Sequence, residues 1–263
     1  MGILNVTPDS FYAGSRAQSC SEIRRRTVEM IREGADIIDV GACSTRPGYK
    51  EITEEEELRR LDACMKAVRA ESTEIPVSVD TFRARVAEKA ITEMGADIIN
   101  DISGMDMDER MMETVVKLNV PYILTHSKGI NAAESPSDCS YNDFLTNVIS
   151  DMARKVTELQ LSGLNDLIID PGFGFGKTLE QNYVLLTNME LLGVFHLPVL
   201  VGISRKSMIT RLLDIKADDA LTGTIALNTI ALTNGASILR VHDVKAARET
   251  IKIHEYLQSL PTC

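Results

Sequence analysis

Tryptophan is absent from the 263 residues of this chain, and long apolar runs are absent too. No uninterrupted apolar stretch approaches the roughly 20 residues that a membrane-spanning helix requires, so we expect no membrane partner. Residues 1–10 also lack the basic start and the long apolar stretch of a secretory signal. The sequence therefore predicts a cytoplasmic protein.

Cysteine and positive charge are scarce. The five cysteines are odd in number and far apart, with no C-x-x-C pair, which favours reduced thiols over a disulfide framework or a zinc site. Lys and Arg number 28 against 38 Asp and Glu, which gives a net charge of −10 and argues against nucleic acid as a partner. An anionic small substrate would need a local cluster of cations in a cleft.

What the chain does contain is a series of short runs rich in isoleucine and valine. They are continuous rather than alternating, as in parallel strands that are buried on both faces. The runs are GILNV (2–6), ADIIDVG (35–41), IPVSVD (75–80), ADIIND (96–101), VPYILTH (120–126), DLIIDPG (166–172), LPVLVGI (197–203) and SILRVH (237–242).

Segments with helical periodicity separate these runs, and they lie at about 21–34, 53–72, 82–95, 108–119, 141–163, 178–193, 218–234 and 243–258. Two of them have a clear apolar face, formed by Leu58, Leu61, Met65 and Val68 in one and by Phe144, Val148, Met152, Val156 and Leu159 in the other. Thr53 and Glu56 predict a capping box at the start of the 53–72 helix.

Strand and helix thus alternate eight times, without a linker or a low-complexity tract. This alternation predicts an α/β protein with a (β/α)8 TIM barrel, as one domain over residues 1–263. A doubly wound open sheet is the alternative.

Polar or ionisable residues end all eight runs, where a barrel places its active site. Asp80, Asn100 and Asp170 offer acceptors and an amide that suit the donor-rich edge of an aminopyrimidine-like ring. Each aspartate could instead only cap the helix that follows it. Asp39 is a weaker candidate, because it precedes Gly41 and could support the turn.

Three cations follow the last two runs, where barrels commonly hold a phosphate. Lys206, Arg240 and His242 therefore favour an anion site in this acidic chain. The pattern predicts a divided site, with carboxylates and amides on strands one to six and cations on strands seven and eight. His126 ends the fifth run, and a single histidine there is more often structural than a ligand or a base.

The glycine-rich stretch DPGFGFGKT (170–178) is similar to a phosphate-binding loop but fails both standard motifs by one residue. We predict that its glycines let the backbone approach a flat ligand. Lys177 and Thr178 are then the start of the next helix.

Two loops rich in turn residues, 5–16 and 44–48, lie on the predicted catalytic face. They are either passive connectors or parts of a moving lid that supplies Thr7, Phe11, Thr45 and Arg46. Cys43 beside them is interpreted as a packed thiol.

Seven motifs in this order resemble those of the bacterial dihydropteroate synthases. They are GILNVTPDSF (2–11), IIDVGACSTRPG (37–48), VSVDTFRARVAEKA (77–90), GADIINDISG (95–104), IIDPGFGFGKT (168–178), GISRKS (202–207) and RVHDV (240–244). The resemblance implies condensation of p-aminobenzoate with 6-hydroxymethyl-7,8-dihydropterin pyrophosphate, which gives 7,8-dihydropteroate and pyrophosphate. It also implies a homodimer, for which the 218–234 and 243–258 helices could supply the interface.

The resemblance further implies roles for individual residues. Asp170 and Lys206 are the expected catalytic residues. The implied pterin pocket contains Asp39, Asp80, Asn100, Ile102, Asp170 and Lys206. The implied pyrophosphate ligands are Asn5, Thr45, Arg240 and His242, with Asn5 also beside a bound Mg²⁺. The implied p-aminobenzoate site, for which sulfonamides would compete, contains Phe11, Thr45, Arg46, Pro47, Phe175 and Ser207.

The chain departs from the family pattern in three places. Ala13 replaces an acidic lid residue, Cys43 stands where a glutamate is usual, and THSKG (125–129) replaces M-H-M-R-G. Two other functions share part of this pattern: a pterin-binding methyltransferase that serves a corrinoid protein, and a pterin-binding barrel without catalysis. The cation cluster argues against the first, and the retained Thr-Pro-Asp-Ser-Phe argues against the second.

Overall fold

A computed structural model describes residues 1–6, 16–43, 52–127 and 141–261, with side chains from Cys20 onward in the second range. The strands are β1 (Gly2–Asn5), β2 (Ile38–Gly41), β3 (Val77–Asp80), β4 (Ile98–Asp101), β5 (Tyr122–Thr125), β6 (Leu167–Asp170), β7 (Leu200–Val201) and β8 (Ile238–Leu239). The helices are α1 (Arg16–Arg32), α2 (Glu54–Glu71), α3 (Ala84–Thr92), α4 (Met111–Leu118), α5 (Tyr141–Leu161), α6 (Leu179–Thr187), α7 (Ser207–Leu213), α8 (Leu221–Thr233) and α9 (Val244–Ser259).

The strands close into a barrel. β1 to β6 pair in parallel in chain order, and β7 pairs with β8. Parallel bridges join the two sheets at both edges, Ile169 to Val199 and Gly2 to Val241, and the Ile3 amide donates to the Val241 carbonyl at 2.9 Å. The predicted (β/α)8 barrel is confirmed, and the open sheet is excluded, because an open sheet has no such closing bridges.

The buried apolar residues of strands β4 to β7 belong to two separate cores. One face packs against the helices and joins the large core, with residues such as Val79, Ile99 and Ile169. The other face points into the barrel, where Met1, Ile98, Ile123, Ile168 and Leu200 form a small core of their own. Burial on both faces explains why the strands read as continuous apolar runs.

The helices confirm most of the predicted segments. The predicted apolar faces of α2 and α5 are turned to the core, with Leu61 and Val68 fully buried and Phe144 and Met152 nearly so. The predicted 178–193 helix is interrupted at Asn188, whose side-chain amide donates to the Val184 carbonyl at 2.8 Å, and a 3-10 helix (Met189–Phe195) follows. The short α7 was not predicted, because seven residues are too few for a clear periodicity.

The capping box predicted for α2 is wrong. Thr53 does cap the helix, since its Oγ1 accepts from the Glu56 amide at 3.3 Å. The Glu56 carboxylate, however, pairs with Arg59 and Arg60 at 2.7 Å instead of returning to the Thr53 amide. No helix among the described residues is long and apolar enough to cross a membrane.

Candidate active site

Polar side chains line the inside of the barrel at the carboxyl ends of its strands. The register pairs Asp39 with Ser78, Asp80 with Asn100, and Thr125 with Asp170. Paired residues of parallel strands point to the same side of a sheet, and alternate residues do so along each strand. The six side chains therefore share the inner face, directly above the small apolar core.

Arg240, which follows β8, lies among carboxylates rather than apart from them. Its Nε donates to Asp39 Oδ2 at 2.7 Å, and its Nη2 donates to Asp80 Oδ2 at 2.6 Å. Asn100 completes the group by donating from Nδ2 to the other oxygen of Asp39 at 3.3 Å. The predicted division into an acidic half and a cationic half is therefore wrong, and Asp39 holds Arg240 instead of supporting a turn.

Burial sets the electrostatics of this group. Loss of solvent raises the pKa of Asp80, and the neighbouring Asp39 raises it further, while the guanidinium of Arg240 opposes both effects. Burial disfavours the charged form of Arg240 as well, but its two carboxylate partners raise its pKa above the ordinary value. Arg240 therefore stays charged, while burial favours the protonated form of Asp80.

Asp170 and Lys206 lie close together at the ends of the neighbouring strands β6 and β7. Asp170 Oδ2 and Lys206 Nζ both lie 3.9 Å from the position that a Cβ on Gly202 would occupy. Burial raises the pKa of Asp170, and Lys206 is the main opposing influence. Burial also lowers the pKa of Lys206 to about 8, against the attraction of Asp170. Each charge thus maintains the other in a site that disfavours both.

Lys206 is held by the loop that follows β6. Its Nζ donates to the Phe173 carbonyl at 2.5 Å and lies 4.6 Å from the centre of the Phe175 ring. An ammonium over an aromatic face is an attractive contact. Phe175 therefore contacts the predicted catalytic lysine, beside the position where the sequence predicts p-aminobenzoate.

The same loop contains a buried lysine whose place the sequence analysis missed. Lys177 is only 4% exposed, and it precedes α6 rather than beginning it, because Thr178 is the N-cap in a true capping box with Gln181. Lys177 Nζ lies 3.1 Å from His126 Nδ1 and 2.8 Å from the Gly172 carbonyl. His126 thus has a structural contact, in line with the more common interpretation of such a histidine.

Gly172 is required for a reason other than the predicted approach to a ligand. Its φ is +71°, and a Cβ at this position would lie 2.0 Å from the His126 carbonyl. The glycine therefore lets the β6–α6 loop pass against the end of β5.

His242 is oriented by Ser204. The imidazole Nδ1 lies 3.0 Å from Ser204 Oγ, which also accepts from the His242 amide at 3.2 Å. Arg205, which follows Ser204 in the chain, binds the Asp243 carboxylate through two nitrogens, at 2.8 and 2.9 Å.

The remaining predicted residues divide into three groups. Asn5 ends β1, and its Oδ1 lies 3.0 Å from the position of a Cβ on Gly41, so a side chain at residue 41 would crowd that oxygen. Ile102 is buried in the turn after β4, and Ser207 is exposed at the start of α7. Phe11, Thr45, Arg46 and Pro47 lie outside the described residues, as do Thr7, Ala13 and Lys128.

Two buried carboxylates that support the mouth were not predicted as such. Asp101 accepts from the Ser103 and Met105 amides and from the Tyr122 hydroxyl, all within 2.8 Å, and so fixes the turn after β4. Glu57 accepts from Thr81 at 2.8 Å and pairs with Arg83, which fixes the turn after β3. The position of Asp101 directly after Asn100, at the end of a strand, could have identified it from the sequence. Glu57 could not have been identified, because it lies in a run of four glutamates with no distinguishing feature.

This chain is similar to known proteins of one family. A family model described as pterin binding enzyme matches residues 1–242. A dihydropteroate synthase from Clostridium beijerinckii is 41% identical over 247 residues, which cover 93% of this chain and 88% of that protein.

Solved structures of the same name share the fold. The dihydropteroate synthase of Clostridium difficile, crystallised in the presence of pteroic acid, superposes with a TM-score of 0.90 at 33% identity over 98% of this chain and 95% of that one. The Yersinia pestis dihydropteroate synthase in complex with a sulfonamide drug gives a TM-score of 0.88 at 38% identity over 98% of this chain and 93% of that one. The stretch that matches the family contains every inward-facing polar residue described above.

Proposed function

This chain belongs to the pterin binding enzyme family, and we infer from that premise that it is an enzyme of folate synthesis that catalyses the dihydropteroate synthase reaction. It transfers a pterinylmethyl group from 6-hydroxymethyl-7,8-dihydropterin pyrophosphate to p-aminobenzoate, and pyrophosphate leaves. The observation that supports this function most is the hydrogen-bonded cluster of Asp39, Asp80, Asn100 and Arg240 at the barrel mouth, with Asp170 and Lys206 as a second charged pair there. The methyltransferase alternative is not favoured.

The hydrogen-bond acceptors at the barrel mouth suit the pterin. Asp170 binds the Gly172 amide through Oδ1, and its Oδ2 lies on the side of Lys206 and Gly202. A carboxylate there accepts hydrogen bonds from the amino and ring N–H groups of a pterin, and the Asn100 amide can both donate and accept. We assign Asp39, Asp80, Asn100, Ile102, Asp170 and Lys206 to the pterin pocket.

We assign the pyrophosphate to the carboxyl end of β8. Arg240 and His242 follow β8 there, and Ser204 fixes the orientation of the imidazole. Arg240 already binds two carboxylates, so the incoming anion competes with Asp80 for its guanidinium. Binding of the pyrophosphate to Arg240 therefore affects the charge of Asp80 in the pterin pocket. We expect Thr45 among the anion ligands as well.

Asn5 fits a Mg²⁺ ion that arrives with the pyrophosphate. Mg²⁺ keeps several waters and needs only one or two protein oxygens beside substrate phosphates. Asn5 Oδ1 is such an oxygen, and Gly41 leaves space around it. When bound, the ion neutralises charge on the leaving group.

The chemistry that we propose is a largely dissociative displacement. Departure of pyrophosphate leaves an electron-deficient CH₂ conjugated with the pterin ring, and the Asp170 carboxylate stabilises that positive charge through the ring N–H groups. The Lys206 ammonium favours the charged form of Asp170, and we place it beside the pterin ring. The amine of p-aminobenzoate then attacks the CH₂, so no activated nucleophile on the protein is needed.

We place p-aminobenzoate, and the sulfonamides that compete with it, above Phe175 and Ser207. Phe175 offers an aromatic face next to Lys206, and Ser207 exposes its hydroxyl at the first turn of α7. Phe11, Thr45, Arg46 and Pro47 complete this proposed site from the two loops outside the described residues.

We also propose a homodimer that works in the cytoplasm. Large apolar side chains are exposed along α7, α8 and α9, and they include Leu212, Leu213, Ile225, Ile230, Ile253, Tyr256 and Leu257. Such a surface on three successive helices suits association with a second copy of the chain. Among the described residues, Cys20 and Cys64 are free thiols, which suits a reducing compartment.

The function is tested by pyrophosphate release. We expect release that requires p-aminobenzoate, the pterin pyrophosphate and Mg²⁺ together. Tight pterin binding without release would show a non-catalytic barrel, and methyl transfer without release would show the corrinoid-dependent reaction.

A further inference from the structure

Lys177 is a buried cation that the reaction described above does not use. Its side chain is 4% exposed. Its Nζ lies 2.8 Å from the Gly172 carbonyl and 3.3 Å from the carbonyls of Phe175 and His126, as well as 3.1 Å from His126 Nδ1. One ammonium thus joins the end of β5 to both sides of the β6–α6 loop.

That loop needs such a connection because its backbone is rich in glycine. Gly172, Gly174 and Gly176 all adopt positive φ, at 71°, 83° and 60°. Glycine gives up more conformational freedom on ordering than any other residue, so the loop does not hold this shape by itself. Asn182 of α6 also holds the loop, since its Oδ1 accepts a hydrogen bond from the Gly174 amide at 2.7 Å.

The shape of the loop sets the position of the proposed catalytic pair. The Gly172 amide binds Asp170 at 2.8 Å, and the Phe173 carbonyl and the Phe175 ring hold the ammonium of Lys206. Lys177 therefore touches two of the residues, Gly172 and Phe175, on which Asp170 and Lys206 depend.

From these contacts we infer that Lys177 is a positioning residue for the reaction. It fixes the β6–α6 loop so that Asp170 and Lys206 stay close together in the pterin pocket. This inference rests on the proposed function. Lys177 acts through the loop and through its charge, without touching the substrate.

The charge of Lys177 makes the inference measurable. Burial raises the pKa of Asp170, and the described groups that oppose it are Lys206, the Gly172 amide, Arg240 and Lys177. Removal of Lys177 takes away one cation and loosens the Gly172 amide, and both changes raise the pKa of Asp170 further. The acid limb of kcat/KM should then move to higher pH.

Lys155 offers a matched control. It is also a buried lysine at the same end of the barrel, 2% exposed. Its Nζ binds Asp106 at 2.8 Å and lies 3.5 Å from Asp151, on the α5 side. Lys155→Met thus deletes a buried ammonium whose described ion pairs are with Asp106 and Asp151 and not with the β6–α6 loop.

The experiment compares Lys177→Met, Lys177→Arg and Lys155→Met in the full chain. We expect Lys177→Met to lower kcat/KM for the pterin pyrophosphate about 10- to 100-fold, as small displacements of reacting groups do, and to shift the acid limb upward. Lys177→Arg should recover part of the rate and the original limb. Lys155→Met should lower Tm, but it should leave kcat/KM within about twofold of the wild type and the acid limb at its original pH. The reason is that Lys155 touches none of the reacting groups.

The inference is overturned if Lys177→Met and Lys155→Met have the same kinetic effect at equal loss of Tm, or if the acid limb stays in place. If Lys177→Met does not fold, His126→Asn removes one partner of the ammonium and should produce a smaller shift in the same direction, whereas an unchanged limb there overturns the inference. Absence of wild-type turnover would instead contradict the proposed function.

Discussion

Asp170 and Lys206 show how a barrel mouth keeps two opposite charges in a buried site. Burial alone would favour the neutral form of both, and each is the main reason that the other remains charged. The pair therefore has two pH limits. Asp170 must lose its proton, at a pKa above the ordinary carboxyl value, and Lys206 must retain its proton, with a pKa of about 8.

Replacement of Asp170 by Asn should slow the chemical step. The loss of a carboxylate that stabilises developing charge is expected to lower kcat about 100- to 1,000-fold, with little change in p-aminobenzoate binding. Steady-state kinetics and calorimetry measure the two quantities. Asp166→Asn is the control, because Asp166 is exposed just before β6, at the other end of the barrel. Equal kcat for Asp170→Asn and the wild type would exclude this role.

Replacement of Lys206 by Arg should change the basic limb of the pH profile. The wild-type kcat/KM should fall as pH rises through about 8, because Lys206 then loses its charge. Arginine does not deprotonate in this range, so the variant should have no limb near that pH, whatever its absolute rate. A limb that stays near pH 8 in the variant would show that a different group titrates.

At the level of elements, the two helices that begin with threonine differ in a way that the sequence does not show. Thr53 is followed by Glu56, and Thr178 is followed by Gln181, at the same spacing. Only the second pair forms both hydrogen bonds, at 3.1 Å and 3.0 Å, because Glu56 is drawn away by two arginines of its own helix. The Thr178 cap also closes the glycine-rich loop of the active site.

Thr178→Ala should therefore destabilise the protein more than Thr53→Ala. We expect Thr178→Ala to lower the free energy of unfolding by about 1 kcal/mol or more, and Thr53→Ala by about 0.5 kcal/mol, since the Thr53 bond is longer and has no reciprocal partner. Urea unfolding of the two variants measures the difference. Equal losses, or a larger loss for Thr53→Ala, would contradict this interpretation of the two caps.

For the whole molecule, closure of the barrel brings distant parts of the chain into one site. Arg240 meets Asp39 across 201 positions and Asp80 across 160. The six-stranded sheet and the β7–β8 pair meet at two bridges, so the last strands face the first ones. The exposed apolar residues of α7 to α9 lie outside this closed ring, where the proposed second copy would bind.

A charge placed in that apolar surface should separate the proposed dimer. Leu257 of α9 is 60% exposed, and Leu257→Glu should give a particle with the 29.0 kDa mass of one chain, where the wild type has twice that mass. Light scattering after gel filtration measures it. Leu161→Glu is the control, since Leu161 is 84% exposed at the end of α5, and its variant should stay dimeric. A monomeric wild type, or an unchanged Leu257→Glu dimer, would exclude this interface.

The sequence by itself determined the class of fold and identified most of the polar residues that the structure places at the barrel mouth. Continuous apolar runs indicate burial on both strand faces, and a carboxylate such as Asp80 or Asp170 marks the strand end because the apolar run stops there. These signals are local, so they can be read along the chain.

Only the tertiary structure decided which of these residues are partners. The sequence separates the cation of β8 from the acids of β2 and β3, whereas closure of the barrel places Arg240 between Asp39 and Asp80. It also presents Lys177 as an ordinary helix start, whereas packing of two loops buries its ammonium against His126 and Gly172. The physical reason is the same in both cases. Charge partners and pKa shifts depend on distance and burial in space, and neither quantity is a function of spacing along the chain.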